Sequence, residues 1–291
     1  MRRYLSPLRY PGGKGRLAPY ISALIKTQSP RPTQYAEPFA GGAGAALRLL
    51  VDRDVERIHI NDLNPGIAAF WRAMFTQTEQ FTDLIAQTPI TMESWHRARE
   101  VYNSPEDRDD LSLGFATFFL NRCNRSGILT ARPIGGMEQA GKWTLDARFN
   151  RESLIDRVGF VGGFRDQVTV TGLDARDFLG DLDEHGDDVL VYVDPPYLVQ
   201  GEQLYMNSLS SKDHATLAAQ LRNSDLKWLL TYDADRRVTD ELYAGHRCVE
   251  FDIAHTAAIQ HVGVEYAVFS ESVALTDHAI MRRGDARWLV N

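Results

Sequence analysis

The most informative hydrophobic run in the chain covers Val189–Val193. Its β-branched residues predict a strand that is buried on both faces, as in a parallel sheet. Asp194 follows at the carboxyl end, and Pro195 and Pro196 end the strand because proline cannot donate a ladder hydrogen bond. Tyr197 then places an aromatic ring at the edge where open α/β sheets bind ligands. Taken alone, the stretch is also compatible with a strand that ends in an ordinary turn.

Hydrophobic periodicity elsewhere predicts an α/β fold around this strand. Further strands are predicted at residues 57–62, 168–170, 227–232, 246–253 and 265–270, with a short one beginning near residue 34. Helices are predicted at residues 17–26, 43–51, 213–222 and 237–243. The last two strands are expected to form an antiparallel pair.

Between residues 65 and 119 the strands stop, and the pattern predicts helices at residues 65–76, 78–86, 92–102 and 111–120. Residues 121–150 are irregular and rich in glycine and arginine. The sequence therefore predicts an α/β domain, formed by residues 1–64 and 164–291, which is interrupted by an inserted, mainly helical domain at residues 65–163.

Composition narrows the class of protein. The 291 residues are 44% hydrophobic and 24% charged, which is typical of a soluble globular chain. There is no apolar run of about 18 residues and no signal-peptide pattern at the start, so neither a membrane span nor secretion is expected. Cys123 and Cys248 are far apart and indicate neither a disulfide framework nor a zinc site. We therefore expect a cytoplasmic protein without a bound metal.

The distribution of charge is more informative than the net charge of −7. Residues 1–31 contain seven Lys and Arg and no acid, and residues 120–165 contain eight Lys and Arg against four acids. Two basic segments on an acidic body are compatible with a polyanion held on one face. Uneven surface charge without a function is the alternative.

Two glycine-rich turns are candidates for ligand binding. In residues 8–16 the spacing to Lys14 is not that of a P-loop, although Lys14 suits a carboxylate or phosphate. Taken alone, this loop favours a flexible turn at the N-terminus over a ligand-binding loop. The second turn, Gly41–Gly44, precedes a helix, and Asp62 ends the next strand about 20 residues later. A glycine turn and an acid at this spacing indicate a nucleoside-binding arrangement, in which the acid accepts hydrogen bonds from ribose hydroxyls.

The irregular stretch at residues 121–150 carries exposed residue types that contact nucleic acids. Arginine, asparagine and serine side chains can bind base edges and phosphates, and Trp143 lies among them. The alternative is a solvated loop with Trp143 packed on the core.

These motifs occur together in one known family. In chain order they are Arg9-Tyr10-Pro11-Gly12-Gly13-Lys14, Glu37-Pro38-Phe39-Ala40-Gly41-Gly42-Ala43-Gly44, Asn61-Asp62, the segment from Asn121-Arg122 to Gly127, and Asp194-Pro195-Pro196-Tyr197. With this order the chain resembles the Dam-like, D12 class of site-specific DNA adenine-N6 methyltransferases over nearly its whole length. The resemblance implies a Rossmann-like methyltransferase sheet and assigns the inserted domain to recognition of the DNA target.

The resemblance also implies S-adenosyl-L-methionine as cofactor, with S-adenosyl-L-homocysteine as product. The implied cofactor-binding residues are Tyr10, Lys14, Phe39, Ala40, Gly41, Gly42, Gly44, Asp62 and Asp174. Asp62 is expected to hold the ribose and Asp174 the adenine amino group. Tyr10 and Lys14 are expected near the methionine end, with Lys14 facing its carboxylate. Asp177 is the alternative to Asp174, or else a surface acid at the start of a helix.

The chemistry of an aromatic amine supports the same catalytic residues. The N6 lone pair of adenine is delocalised into the ring, so an enzyme must position and polarise the amine. Asp194 can accept one N6 hydrogen and the Pro195 carbonyl the other, while Pro196 fixes the turn and Tyr197 stacks on the base. Because a duplex hides this amine, the base must be flipped out, at a cost of a few kcal/mol.

The basic segments then suit double-stranded DNA as partner. Candidate DNA-binding residues are Arg122, Arg125, Ser126, Arg132, Lys142 and Arg148. Residues 135–150 resemble the recognition hairpin of a related subgroup. The best-known GATC methylases have a Tyr-Asn-Gly-like run where this chain has Arg125-Ser126-Gly127, so the resemblance does not imply GATC recognition.

Three alternatives remain open from the sequence. Methyl transfer to cytosine N4 or to adenine in RNA uses the same chemistry, although Asp-Pro-Pro-Tyr favours adenine. A non-catalytic protein that binds cofactor and DNA is the third, and the intact motifs argue against it. The resemblance implies a bacterial or phage protein that serves restriction–modification with a cognate endonuclease, phage protection or housekeeping methylation. The sequence does not give the oligomeric state.

Overall fold

The structure, a computed structural model, describes residues 4–9, 14–198, 209–255, 261–280 and 286–290. The chain divides into two compact units, each built from two segments. The first unit comprises Met1–Gly13 and Asn64–Gly172, and the second comprises Lys14–Leu63 and Leu173–Asn291. The division places residues 1–13 and 164–172 in the first unit, whereas the sequence pattern placed them in the α/β domain.

The regular elements follow the predicted alternation closely. The strands are β1 (Gln34–Glu37), β2 (Arg57–Asn61), β3 (Val168–Thr171), β4 (Val189–Val193), β5 (Lys227–Asp233), β6 (Arg247–His255), β7 (His261–Phe269) and β8 (Ala286–Val290). The helices are α1 (Ala18–Thr27), α2 (Gly44–Val51), α3 (Pro65–Thr76), α4 (Thr78–Gln87), α5 (Met92–Asn103), α6 (Asp110–Cys123), α7 (Arg151–Gly162), α8 (Ala175–Leu182) and α9 (Ser211–Asn223). The predicted helix at residues 237–243 is a short π-helix, Val238–Leu242.

The second unit is built on a sheet with the strand order β2-β1-β4-β5-β7-β6-β8. Its first four strands are parallel, and β7, β6 and β8 are antiparallel to their neighbours. Strand β4 lies between β1 and β5, and all five of its residues are buried, as its hydrophobic run predicts. The α/β fold and the antiparallel pairing of β6 with β7 are therefore confirmed.

The core of the second unit packs helices against this sheet. Val191 and Val193 of β4 belong to one buried cluster with Leu217 and Leu221 of α9 and with Trp228 of β5. Burial of such apolar side chains stabilises a fold by about 1.5–3 kcal/mol each. This packing fixes the backbone of β4 and therefore the position of the residues that follow its carboxyl end.

The first unit contains helices α3 to α7 and an aromatic core. Phe70 of α3 stacks on Phe118 of α6, and Phe81 of α4 meets both rings edge-on. The helices α3 and α6 approach closely because Gly114 has no side chain: a Cβ there would lie 2.7 Å from the Phe70 Cα. The sequence analysis predicted α3 to α6 but not α7.

Residues 124–150 form a folded loop in the first unit. The predicted hairpin at residues 135–150 is absent from the described structure, which has turns and one short 3₁₀ helix there, Leu145–Arg148. The Gln139 side chain explains the difference. Its amide donates to the Ile134 and Gly136 carbonyls at 2.8 and 2.7 Å and accepts from the Leu145 amide at 3.0 Å. Hydrogen bonds from one side chain to the backbone therefore hold this segment together, in place of the hydrogen bonds between two strands of a hairpin.

No helix within the described residues has both the length and the apolar character that a membrane crossing requires.

Candidate active site

The carboxyl end of β4 places Asp194 beside a threonine of the next strand. Val193 pairs with Leu230 in the parallel register of β4 and β5, so the following residue, Thr231, lies level with Asp194. The hydroxyl of Thr231 donates to Asp194 Oδ1 at 2.9 Å. Thr231 is fully buried, and its hydroxyl also lies 2.7 Å from that of Tyr192. The sequence analysis did not identify Thr231.

Lys14 forms the second contact to this carboxylate. Its ammonium donates to Asp194 Oδ1 at 2.8 Å and to Oδ2 at 3.1 Å. Lys14 is only 6% exposed, although it begins a short 3₁₀ helix, Lys14–Leu17. Burial lowers the pKa of Lys14, but the nearby acidic groups of Asp194, Tyr192 and Glu265 outweigh it and raise the pKa well above its usual range. The ammonium is therefore charged throughout the physiological range.

Glu265 of β7 is a second buried carboxylate on the same ammonium. Its Oε1 lies 3.5 Å from Lys14 Nζ, and the residue is 1% exposed. Burial raises the pKa of Glu265, and the charge of Lys14 opposes that rise. The sequence analysis missed Glu265. Its available signal was a single acid inside the apolar stretch at residues 264–269.

Tyr197 connects these groups at the end of the Asp-Pro-Pro-Tyr stretch. Its hydroxyl donates to Glu265 Oε1 and accepts from Lys14 Nζ at 3.3 Å. The Lys14 ammonium also lies 5.3 Å from the centre of the Tyr197 ring. The Leu198 amide donates to Asp233 Oδ1 at 3.1 Å, which ties the chain after Tyr197 to the end of β5.

The contacts divide the two oxygens of Asp194 unequally. Oδ1 accepts hydrogen bonds from both Lys14 and Thr231, whereas Oδ2 accepts one from Lys14. A carboxylate oxygen has two acceptor positions, so among the described residues Oδ2 has one hydrogen bond and one position left for a further donor. Pro195 is buried and Pro196 half-buried, and neither belongs to a helix or strand. The site can therefore accept a hydrogen from an amine at a fixed carboxylate oxygen.

The glycine turn after β1 brings its backbone against Asp62. The Gly41 amide donates to Asp62 Oδ2 at 2.9 Å, and the Ala40 amide donates to the Asn61 carbonyl at 2.8 Å. Gly41 has a φ of 46°, a left-handed conformation that favours glycine. The predicted pairing of this turn with the acid that follows β2 is thus present. Phe39 packs half-buried against the core of the second unit.

Gly42 and Gly44 continue the turn, and Gly44 begins α2. The backbone of Gly44 lies close to that of Gly15, because a Cβ added to Gly44 would lie 3.3 Å from the Gly15 Cα. A side chain at Gly44 would push the two backbones apart. The absence of one therefore allows the first glycine-rich segment to reach the start of α2.

Asn61 joins this turn to the segment before α8. Its side-chain amide donates to the Pro38 and Leu173 carbonyls, each at 3.0 Å. Its Oδ1 accepts from the Leu173 amide at 2.8 Å. Asn61 is buried, so these bonds fix the strand ends without competition from solvent. The sequence analysis included Asn61 in a motif but gave it no structural role.

Asp174 caps the start of α8 and binds Arg176. Asp174 Oδ1 accepts from the main-chain N–H and Nε of Arg176, at 2.9 and 2.7 Å, and Oδ2 accepts from Nη2 at 2.8 Å. The hydrogen bonds from Arg176 hold the pKa of Asp174 below its usual value. Within the part of the chain that the structure describes, Oδ2 accepts this one hydrogen bond, so one acceptor position remains on it. The alternative residue, Asp177, is exposed on the first turn of α8.

Among the predicted cofactor-binding residues, the structure brings Lys14 to Asp194 and Gly41 to Asp62. Tyr10 lies outside the described residues.

In the first unit, most predicted DNA-binding side chains lie on the surface of the loop at residues 124–150. The exposed ones are Arg125, Arg132, Lys142 and Arg148, and Ser126 is half-buried. Trp143 is 66% exposed and lies beside Lys142, whose ammonium is 5.8 Å from the indole ring. The alternative that Trp143 packs on the core is therefore wrong.

Arg122 differs from these exposed cations. Its guanidinium donates to the main-chain carbonyls of Pro7, at 3.5 Å, and of Arg148. Burial, together with the positive charges of Arg9 and Arg157, lowers the pKa of Arg122 to about 9. These contacts indicate that Arg122 stabilises the backbone of the first unit.

Two asparagines give the loop its shape. Asn121 binds both the amide and the carbonyl of Arg9, at 2.7 and 2.9 Å, and donates to the Gly127 carbonyl at 2.8 Å. Asn124 accepts from the Trp95 indole N–H at 2.7 Å and donates to the Ile128 and Leu129 carbonyls. The motif from Asn121 to Gly127 therefore includes residues that position the loop.

The chain matches the model of a known protein family. The family described as D12 class N6 adenine-specific DNA methyltransferase matches residues 10–261, which is most of the chain. A comparison with curated proteins gave no match.

Proposed function

The chain belongs to the D12 class N6 adenine-specific DNA methyltransferases, and from this membership we propose that Asp194, Pro195, Pro196 and Tyr197 hold the target adenine during methyl transfer. The protein transfers a methyl group from S-adenosyl-L-methionine to N6 of adenine in DNA. Because the family is specific for adenine in DNA, cytosine N4 and RNA are not favoured as targets. The observation that carries the proposed roles is the acceptor position that the described residues leave on Asp194 Oδ2.

The residues around the glycine turn fit the cofactor. S-adenosyl-L-methionine carries ribose hydroxyls and an adenine amine, which need hydrogen-bond acceptors. Asp62, just after β2, and Asp174, just before α8, supply carboxylates that can accept them. The lack of side chains at Gly41, Gly42 and Gly44 leaves backbone open to a ligand. We propose these residues as the cofactor site, together with Tyr10, Phe39 and Ala40. When bound, the cofactor supplies a methyl group on a sulfonium, which is a strong electrophile.

We revise the proposed role of Lys14. Its ammonium contacts Asp194, Tyr197 and Glu265, so its three N–H groups have acceptors within the protein. A charge held in this way serves the catalytic carboxylate more directly than it serves a cofactor carboxylate. We therefore propose that Lys14 orients Asp194.

In the proposed mechanism, the residues position and polarise the amine. Asp194 Oδ2 accepts one N6 hydrogen, and the Pro195 carbonyl accepts the other. Holding both hydrogens draws the nitrogen toward a tetrahedral shape and directs its lone pair at the methyl group. Tyr197 offers an aromatic face to the base, and its hydroxyl is fixed by Glu265. Once the adenine amine is oriented toward the methyl group, little further catalysis is needed, because the sulfonium methyl group is already a strong electrophile.

The target base has to leave the duplex before it meets these residues. We propose that the exposed cations of the first unit, Arg125, Arg132, Lys142 and Arg148, contact the duplex, with Ser126 beside them. Arginine and lysine supply phosphate contacts, and arginine also binds guanine edges with two hydrogen bonds. The exposure of Arg132 and Trp143 supports a surface that reads a short DNA sequence.

Replacing Asp194 by Asn tests the catalytic assignment. The amide keeps the size of the side chain but loses the charge and one acceptor, so we expect a decrease of at least about 100-fold in the rate of transfer. Labelled methyl transfer from S-adenosyl-L-methionine to mixed-sequence duplex DNA measures the rate, and calorimetry measures cofactor affinity. Asp181→Asn, an exposed acid on α8, is the matched control. A fully active Asp194→Asn variant would contradict the assignment.

Nucleoside analysis and methylation mapping refine the same experiment. Digestion of the product and mass spectrometry should show N6-methyladenine. Single-molecule sequencing of DNA from cells that express the protein should give its recognition sequence. A restriction endonuclease partner is proposed from the family resemblance, and it is tested by whether this methylation blocks cutting at that sequence.

A further inference from the structure

We infer that Glu265 is a positioning residue for methyl transfer, which balances the charge of Lys14 and fixes Tyr197 so that Asp194 can act on the amine. This inference rests on the proposed roles of Asp194 and Tyr197. Glu265 lies beyond residue 261, where the family match ends, and none of the predicted site residues comes from its strand.

Glu265 reaches the site through the sheet register. Glu265 pairs with Asp233 in the antiparallel ladder between β7 and β5. Asp233 lies on β5, two residues after Thr231. The carboxyl end of β5 and the interior of β7 therefore meet where β4 ends. At 1% exposure, a carboxylate at this place needs partners, and Lys14 and Tyr197 supply them.

The charges of Lys14, Asp194 and Glu265 are suited to stabilise the adenine N6 as it becomes positively charged. Lys14 lies between two carboxylates, at 2.8 Å from Asp194 Oδ1 and 3.5 Å from Glu265 Oε1. Without Glu265, Lys14 and Asp194 would form a neutral pair, and Lys14 would cancel much of the field of Asp194. With the Glu265 carboxylate ionised, the three side chains carry one net negative charge. A preorganised negative charge stabilises the positive charge that develops on N6 as the methyl group is transferred.

The same carboxylate oxygen fixes the aromatic ring. Glu265 Oε1 accepts a hydrogen bond from the Tyr197 hydroxyl, and the Tyr197 oxygen accepts one from Lys14 at 3.3 Å. Glu265, Tyr197 and Lys14 therefore form a closed ring of contacts. Loss of Glu265 would remove one contact from the Tyr197 hydroxyl and one from the Lys14 ammonium, which Asp194 would still bind.

The structure of β7 does not require this side chain for its strand pairing. The backbone of β7 is paired on one side with β5 and on the other with β6. An isosteric replacement of Glu265 should therefore leave the strand in place and change only the contacts with Lys14 and Tyr197.

Glu265→Gln tests the inference, because the amide keeps the shape and removes the charge. We expect kcat to fall roughly 10- to 100-fold, while the Kd for S-adenosyl-L-methionine stays within about twofold. Glu265→Asp, which keeps the charge on a shorter side chain, should recover part of kcat. Glu250→Gln is the control, since Glu250 lies on the neighbouring strand β6 and pairs with Arg287 at 3.0 Å. A Glu265→Gln variant with unchanged kcat would overturn the inference.

A double-mutant cycle separates positioning from a general loss of stability. Tyr197→Phe removes the hydrogen bond to Glu265 from the other side, so the combined variant should lose little more kcat than Glu265→Gln alone. Multiplicative losses would show that the two residues act independently and would contradict the inference. If Glu265→Gln does not fold, Tyr197→Phe alone decides: a lower kcat with unchanged cofactor affinity supports the contact, and an unchanged kcat refutes it.

The result is distinguishable from failure of the proposed catalytic role. If Asp194→Asn is inactive and Glu265→Gln is fully active, only the inference about Glu265 fails. If Asp194→Asn is itself fully active, the assignment of the whole site fails.

Discussion

The hydroxyl of Thr231 donates to Asp194 Oδ1 over 2.9 Å, from a strand next to the one that carries the acid. Lys14 binds the same oxygen at 2.8 Å. Asp194 is therefore held by donors from two different parts of the second unit, and its side chain cannot rotate without breaking one of these bonds. Fixing the acceptor in advance is what a reaction limited by orientation needs.

Thr231→Val should lower the rate without unfolding the protein. Valine keeps the branched shape of threonine but removes the hydroxyl, so Asp194 loses one donor. Because a hydrogen bond to a charged group contributes about 1.5–3 kcal/mol, we expect a loss of roughly 10-fold or more in kcat. Thr216→Val, on an exposed position of α9, is the control. Steady-state methyl transfer and thermal denaturation of both variants measure the effect; equal rates would refute a role for Thr231.

Asp62→Ala should weaken cofactor binding more than DNA binding. Asp62 accepts the Gly41 amide and faces the glycine turn, so the variant loses an acceptor for a ribose hydroxyl and support for the turn. We expect the Kd for S-adenosyl-L-methionine to rise roughly 10- to 100-fold. Calorimetry measures this, and Asp52→Ala, an exposed acid just after α2, is the control. An unchanged Kd would remove Asp62 from the cofactor site.

Arg122→Ala and Arg132→Ala should affect different properties, the first stability and the second DNA binding. Arg122 donates to the carbonyls of Pro7 and Arg148, so its loss should lower the free energy of unfolding by about 1–3 kcal/mol. Arg132 is exposed, so its loss should leave stability unchanged and weaken DNA binding or change sequence preference. Chemical denaturation and a salt titration of DNA affinity measure the two effects. Unchanged DNA affinity and specificity in Arg132→Ala would contradict the proposed DNA surface.

Stability should fall as pH rises toward 8, partly because of Glu37. Burial raises the pKa of Glu37 to about 8, although hydrogen bonds from Tyr35 and the Ala46 amide oppose the rise. Below the ordinary value of 4.5 the carboxyl group is protonated in both states. Between 4.5 and about 8 only the unfolded state loses the proton, so unfolding becomes more favourable by up to about 1.4 kcal/mol per pH unit.

Glu37→Gln tests this dependence, because glutamine does not ionise. Urea unfolding at several pH values between 5 and 8 should give a flatter stability curve for Glu37→Gln than for the wild type. Glu79→Gln, an exposed position in α4, should retain the wild-type slope. Identical slopes in all three proteins would show that Glu37 is ionised in the folded state.

Periodicity predicted the elements whose burial pattern is regular. The hydrophobic run of β4 gave its bounds, Val189–Val193, and the pattern of α3 gave Pro65–Thr76. Helix α7 was missed because its buried residues, Leu154, Val158 and Val161, are separated by charged residues and glycines that weaken the hydrophobic pattern. Strand β8 was missed as well; its five residues are exposed or half-buried and so have no regular buried face.

The sequence predicted those candidate site residues that could be identified from a local motif. Asp194 and Asp62 each follow a strand, and a strand end marks the ligand edge of a sheet. Thr231 and Glu265 belong to the site only because β5 lies beside β4 and β7 beside β5. No local sequence pattern predicts this order of strands in the sheet. The contact of Lys14 with Asp194 likewise joins residues 180 positions apart.

The pairing of β1 with β4 also has a consequence during protein synthesis. Gln34 pairs with Val189, so the partner of β1 is translated about 155 residues after it. At ~5–20 residues per second, β1 emerges roughly 8–30 seconds before β4 exists. The nascent chain therefore carries an unpaired strand edge while the whole of the second segment of the first unit is being made. Helices α3 to α6 can form locally in that interval, whereas β4 can be inserted between β1 and β5 only afterwards.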